Sequence, residues 1–341
     1  MQIEEGSAGD EFHQEFVRSA NVKIVKISPY LNLKRIEFVM TYQCSGHCKH
    51  CSFGEKINSK NDKHVSARHA SQAIEELAKI FPITSAMAFG GEPLLYAEET
   101  CEILATAARC GIEGVELITN GFFTKDDARC KEVATALKAA GVTAVMISVD
   151  AFHQETIPLE AVYTFARYVK EAKIPYVDLH PAWVVDKSHD NPYNVKTQKI
   201  LSAFADLNLP VSSGNNIFPA GNAAKFLAEY YDAPKLNLSD TCGSVPYTDP
   251  LTNITSLSIV PGGDVMVCGG FAIGNVQNIR ETIADYDPHK NELMHAVVTG
   301  GAAGLLAFSE KMQIDTSQCR SVCDLCRLIS NVYRATSENP T

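Results

Sequence analysis

Between residues 34 and 213 short apolar runs alternate with longer amphipathic ones, and no other property of the chain restricts its fold as much. The strand-like runs are 34–40, 85–89, 114–119, 144–148, 176–184 and 209–213, and the helical runs are 66–81, 97–110, 127–140, 159–172 and 194–207. Strands separated by helices of this length cannot pair as tight hairpins, so they must lie parallel with the helices packed across the sheet. Six of them predict an α/β fold, a partial (β/α)6 TIM-like barrel over 31–215, preceded by an N-terminal extension over 1–30. Ser66 is placed to cap the first helix, and Gly141 follows the third where a left-handed residue is wanted. Cys130, Val133 and Leu137 recur at core spacing, as do Cys101, Leu104 and Ala108, so these thiols and Cys110 read as small core residues.

Directly after the first strand run comes Thr41-Tyr-Gln-Cys-Ser-Gly-His-Cys-Lys-His-Cys-Ser52, a C-x3-C-x2-C triplet of Cys44, Cys48 and Cys51. Three thiolates leave a tetrahedral shell one ligand short, which fits a cluster with one open position. A structural zinc site with His47 or His50 as fourth ligand competes, although zinc pairs usually repeat a short spacing with a second pair nearby.

Composition narrows the partners. Hydrophobic residues make up 45% and charged residues 21%, ordinary globular usage, and the net charge of -10 argues against nucleic acid, whose phosphates need clustered Lys and Arg. No uninterrupted apolar run reaches the roughly 18 to 20 residues that span a bilayer, and the first residues are acidic where an export signal is basic. The expected location is cytoplasmic, without a membrane partner, where the eleven cysteines stay reduced.

With the triplet at the end of the first strand, the chain resembles the radical S-adenosylmethionine (SAM) superfamily. The resemblance implies a 4Fe-4S cluster on Cys44, Cys48 and Cys51, with SAM on its fourth iron. One electron then splits SAM to a 5'-deoxyadenosyl radical that abstracts a substrate hydrogen. Gly90-Gly91-Glu92-Pro93 after the second strand matches the superfamily's Gly-Gly-Glu-Pro motif, in which glycines admit a close backbone and a carboxylate accepts from the SAM amino group. Thr119 and Asn120 end the third strand, and Ser148 and Asp150 end the fourth, at the barrel edge where sites form. The resemblance makes these SAM-binding residues; a simple turn at Asn120-Gly121 and a helix cap at Asp150 are the bland alternatives. His153 and His180 are candidates for proton transfer.

From about residue 215 the alternation fails, and five more thiols follow: Cys242, Cys268, Cys319, Cys323 and Cys326. Small, loop-rich modules of this kind often need a bound metal to be stable. The segment 216–335 resembles the small C-terminal Cys-rich SPASM and twitch domains of radical SAM enzymes, before a polar tail at 336–341. That likeness implies one auxiliary 4Fe-4S cluster on Cys242, Cys268, Cys323 and Cys326, with a zinc ribbon as the competing reading. Cys319 is left over as a replacement ligand, a buried thiol or a hydrogen-atom donor.

A barrel with a single-cluster module is similar to enzymes that modify ribosomally made peptides, epimerases among them, and to dehydrogenases of small alcohols. A peptide or protein side chain, or its α-carbon, is the expected substrate. A small metabolite is the alternative, and a zinc protein without redox chemistry is the second. Such epimerases can use a Cys beside the cluster ligand as hydrogen donor; here Gly269 follows Cys268, so an epimerase would need Cys319 for that task. A reductant such as flavodoxin or ferredoxin is an implied partner. With thirty residues before the barrel, any peptide leader is expected to bind the barrel itself or a separate leader-binding protein.

Overall fold

The computed structural model describes residues 27–59, 63–233 and 235–338, so most of the N-terminal extension and the end of the polar tail lie outside it. In chain order the elements are β1 (Leu31–Val39), α1 (Ala67–Ile80), β2 (Ser85–Phe89), α2 (Ala97–Arg109), β3 (Gly114–Thr119), α3 (Asp127–Ala139), β4 (Ala144–Ser148), α4 (Leu159–Glu171), β5 (Tyr176–His180), β6 (Ala182–Val184), α5 (Pro192–Ser202), β7 (Asn215–Ile217), α6 (Asn222–Phe226), β8 (Ile254–Ile259), β9 (Asp264–Cys268), β10 (Phe271–Asn275), α7 (Ile279–Asp285), α8 (Glu292–Lys311) and α9 (Val322–Glu338). The main sheet runs β10-β9-β8-β1-β2-β3-β4-β5; β8 and β1 to β5 are parallel, and β9 and β10 are antiparallel. This is the α/β partial barrel that the alternation predicts.

Strict alternation along each strand decides which side chains meet the helices. Phe38, Ala88, Leu117, Val145 and Val177 stand in register on one face, buried against the helices. The helices answer with single apolar stripes, as in α1 with Ala70, Ala73, Ile74 and Leu77, and in α3 with Cys130, Val133, Ala134 and Leu137. Ser66 accepts the His69 N–H at the start of α1, and Gly141 takes φ +79° after α3. Cys101 sits on the flank of its helix, partly buried, while Ile103 and Leu104 fill the core.

The sixth strand differs from expectation. The run 176–184 breaks at Pro181, which has no N–H to donate, giving the separate strands β5 and β6. The run 209–213 forms only a bridge between Val211 and Leu179, while β6 pairs with β7 in a second small sheet. The sixth parallel strand of the main sheet is β8, which joins the other side of β1. Residues beyond 215 thus extend the barrel's own sheet and share its core, in which Leu257, Val265, Leu305 and Leu325 are buried.

Helix α8 is long and apolar enough by composition to cross a membrane, although no uninterrupted apolar run in the sequence is. It buries Leu293, Met294, Val297, Ala302 and Leu305 in that core. Gly301 breaks it at φ +55°, where a Cβ would come within 2.5 Å of Asp240 O. That break lets the Ala302 N–H donate to Asp240 O and holds the loop carrying Cys242 against the helix.

Candidate active site

The cysteine loop leaves the carboxyl end of β1 and is tied at once to the loop after β2. Met40 N donates to Phe89 O, Gly91 N to Thr41 O at 2.7 Å, and Glu92 N to Gln43 O at 2.8 Å. Gly90 takes φ +132°, and a Cβ on Gly91 would lie 2.1 Å from Gln43 O, so both glycines are required by the close approach. Replacing Gly91 with Ala is expected to cost at least about 2 kcal/mol and to release iron from the loop, because backbone must move by about an ångström. Iron content and the thermal midpoint of anoxic protein check it, and wild-type values for both would refute this account of the loop.

Two asparagines fix the backbone that carries the thiols. Asn58 Oδ1 accepts from Cys44 N at 2.8 Å while its Nδ2 donates to Cys44 O at 3.0 Å. Asn222, at the start of α6, donates its Nδ2 to Cys48 O at 3.1 Å and its backbone N–H to Cys51 O. Neither carries a signal in the sequence. Asn58 lies in a polar stretch, and Asn222 is 174 residues from its partner.

The electrostatics of the triplet suit a cation. Burial, with the charges of Glu92 and Cys51 adding to it, pushes the Cys44 thiol up to about 12 against hydrogen bonds from Gly46 N and Asn120 Nδ2. Burial and the charges of Asp150, Cys44 and Cys51 push Cys48 up further, and burial raises Cys51. Three thiols that oppose one another's ionisation ionise together once a metal supplies positive charge. Their convergence from one braced loop fits a cluster held by Cys44, Cys48 and Cys51.

Behind the loop, Glu92 is fully buried, and both of its oxygens face protein donors. Thr119 Oγ1 at 2.7 Å and Leu94 N at 3.0 Å donate to Oε1, and Asn120 N at 2.8 Å donates to Oε2. Burial raises its carboxyl to about 7 in spite of these bonds. Its observed partners are therefore Leu94 N and the two strand-end residues, Thr119 and Asn120. Asn120 turns the other way, donating from Nδ2 to Ser45 Oγ at 3.0 Å and to Cys44 Sγ at 3.5 Å. Pro93 is buried at the start of a short turn of helix, and Ser148 is 8% exposed at the end of β4.

Asp150 is likewise enclosed. Oδ1 accepts from Phe152 N and His153 N, both at 2.9 Å; Oδ2 accepts from Ala182 N at 3.1 Å and lies 2.8 Å from His153 Nδ1. The carboxylate thus ties the end of β4 to β6. His153 packs edge-on against His50, with ring centroids 4.9 Å apart, and ligand atoms of Cys48, His50 and His153 all lie within 4.8 Å of one another. Burial lowers His50 to about 4, and its Nδ1 has no hydrogen-bond partner. His180 lies one strand away on β5, its Nδ1 2.9 Å from Ser212 Oγ.

The second thiol group gathers where β9, α9 and the Cys242 loop meet. Burial and then the charges of Cys268, Cys323 and Cys242 push Cys326 up, and burial with Cys268 and Cys242 takes Cys323 to about 11. Those four thiols lie in one another's field, with Arg327 opposing them in Cys268, Cys323 and Cys326. Cys319 is buried elsewhere in the core, and the charges acting on it are Asp324, Asp315 and Arg327. All eleven cysteines are free thiols.

Residues 38–181 match the family described as the radical SAM superfamily. A probable GTP 3',8-cyclase from Saccharolobus solfataricus is 29% identical over 143 residues, covering 41% of this chain and 43% of that protein. The GTP 3',8-cyclase of Listeria welshimeri is 28% identical over 120 residues, covering 35% of this chain and 34% of that one. Less than half of either relative's length is therefore matched. Among solved structures, native anSMEcpe with bound AdoMet superposes with a TM-score of 0.50 at 13% identity, covering 90% of this chain and 97% of that one, a likeness of fold. Residues 38–181, which hold the three-thiol loop, the Gly-Gly-Glu-Pro turn and the strand ends described above, thus match a superfamily whose members bind a 4Fe-4S cluster and SAM.

Proposed function

We propose that the chain is a radical SAM enzyme that abstracts a hydrogen atom from a small metabolite. Held by Cys44, Cys48 and Cys51, a reduced cluster would supply the one electron that cleaves SAM, and SAM the carbon-centred radical that takes the hydrogen atom. The chain's own residues hold and shield the group. Cys44, Cys48 and Cys51 are the iron ligands. The Gly90-Gly91 backbone, Thr119, Asn120 and Ser148 line the strand ends where SAM is placed, while Glu92 and Asp150 hold those ends together. His153 is a candidate proton carrier beside them.

The observation that carries the reading is the bracing of the three-thiol loop by the Gly-Gly-Glu-Pro turn at the ends of β1 and β2. The curated relatives are named for a reaction of a nucleotide, which supports a small metabolite over the peptide expected from the resemblance. An auxiliary 4Fe-4S cluster on Cys242, Cys268, Cys323 and Cys326 belongs to the same proposal, as do a one-electron donor protein and a reducing cellular compartment. The mutual proximity of those four thiols supports the cluster, and eleven free thiols support the compartment.

Anoxically prepared protein is expected to be brown with about eight irons per chain, and to release 5'-deoxyadenosine from SAM on reduction with dithionite. Zinc in place of iron, or no deoxyadenosine, overturns the proposal. Product formation on precursor peptides but on no small metabolite would replace its substrate class.

A further inference from the structure

The face of the sheet turned away from the helices is the inside of the partial barrel, and the strand registers order it in tiers. The lowest tier aligns Ser256, Arg35 and Ser85. Above it stand Ser258, Glu37, Met87, Glu116, Ala144 and Tyr176. The third tier holds Val39 and Phe89, then Ile118, Met146 and Asp178, and the top pairs Ser148 with His180, level with the SAM-binding strand ends.

Charge on this face is lopsided. Arg35 is its one Arg or Lys among these tiers, and it is already engaged by Glu37 at 2.8 Å and Glu116 at 3.0 Å. The third tier is apolar except for Asp178. Only 3% of that residue is exposed; its Oδ2 accepts from Tyr176 OH at 3.2 Å, and its Oδ1 is buried without a hydrogen-bond partner. A buried acceptor left unpaired costs about 1–3 kcal/mol, so such an atom marks a place where something donates. Burial also raises its carboxyl, against the opposing influence of His180, Tyr176 and Ser212.

We propose that Asp178 is the substrate anchor of the barrel, its free Oδ1 accepting from an amine or ammonium group of a small metabolite held beneath the strand ends. The inference rests on the small-metabolite reading and narrows it. Three carboxylates facing one neutralised guanidinium attract a cationic or amine-bearing ligand and repel a triphosphate, so the substrate differs in class from the nucleotide for which the relatives are named. Tyr176 and His180 flank the anchor, and Met146 and Ile118 supply the apolar wall.

The test uses holoenzyme with SAM bound and follows ligand-induced thermal shifts and calorimetric affinity for two amine probes, glucosamine and putrescine, and for GTP. Wild-type enzyme is expected to bind an amine probe and to bind GTP more weakly. Asp178→Asn, which keeps the volume and removes the charge, is expected to weaken the amine about tenfold or more. Met146→Lys, which places a cation in register beside Asp178, is expected to abolish amine binding, with iron content confirming that both variants fold. The inference is overturned if GTP binds more tightly than both amines, if neither amine binds, or if the amine affinity survives Asp178→Asn. Reductive SAM cleavage by wild-type enzyme without substrate reports separately on the radical reading; its failure would sink that reading and leave the binding result standing.

Discussion

Replacing Cys44, Cys48 and Cys51 together with alanine is expected to leave a folded chain that holds about four irons instead of about eight and releases no 5'-deoxyadenosine. The fold survives because the triplet lies outside the main core: Cys48 is buried in a small satellite cluster with Phe152, Val184 and Ala223, away from the sheet-helix interface. The loop keeps its braces as well, since Asn58 and Asn222 hold backbone atoms of Cys44, Cys48 and Cys51 rather than their sulfurs. Activity falls to background because the residues that remain bind and orient but supply no electron. The contrast is Cys130→Ala, a core thiol on α3 that is 7% exposed, which should cost about 1 kcal/mol of stability and no iron. Iron analysis and chromatography of the reduced reaction decide. An unchanged iron content in the triple variant would move the cluster elsewhere in the chain.

Strands β1 to β5 and helices α1 to α4 could be read from the chain because each buries one face, and burial of one face writes its period into the sequence. β2, β3 and β4 begin and end where the apolar runs do. The sixth strand could not be read in the same way. A parallel partner for β1 is chosen by tertiary contact, and β8 lies 221 residues on from it, as the bond from Ser258 Oγ to Glu37 Oε2 records. The run 209–213 has strand composition, yet after Pro181 redirects the chain it meets β5 at a single residue. Within the site, the residue types were legible and their partners were not. Glu92 announces a carboxylate beside the cluster loop, but only the fold shows its oxygens taken by Thr119, Leu94 and Asn120. Asp178 gave no signal at all, since a lone Asp in a strand run stands out only once its unpaired oxygen is seen on the barrel's inner face.

Asp150→Ala is expected to destabilise the protein by about 3–5 kcal/mol, the cost of stripping a buried charge from its partner. The carboxylate, just past the end of β4, holds four protein donors from the following turn and from β6, so alanine unties both from the strand end in one step. The dependence on pH follows from the directions of the two shifts. Burial acts to raise Asp150, but the charge and hydrogen bond of His153 outweigh it and leave the carboxyl below its ordinary 3.8. Its contribution is therefore present above that value and lost as the pH falls through the lower folded one. Burial acts to lower His153, but the Asp150 carboxylate outweighs it and leaves the imidazole above its ordinary 6.5. That contribution is complete below 6.5 and disappears as the pH rises through the higher folded value. The gap between wild type and Asp150→Ala should therefore be widest between about pH 4 and 6.5 and narrow as the pH rises above 6.5. Asp150→Asn, which keeps an acceptor for Phe152 and His153 N–H but loses the charge, should fall between them with a flatter profile. Thermal midpoints of the three proteins across that range, taken anoxically, test the pair. A gap that widened above neutrality would mean that His153 is neutral beside Asp150, and that hydrogen bonds alone hold β4 to β6.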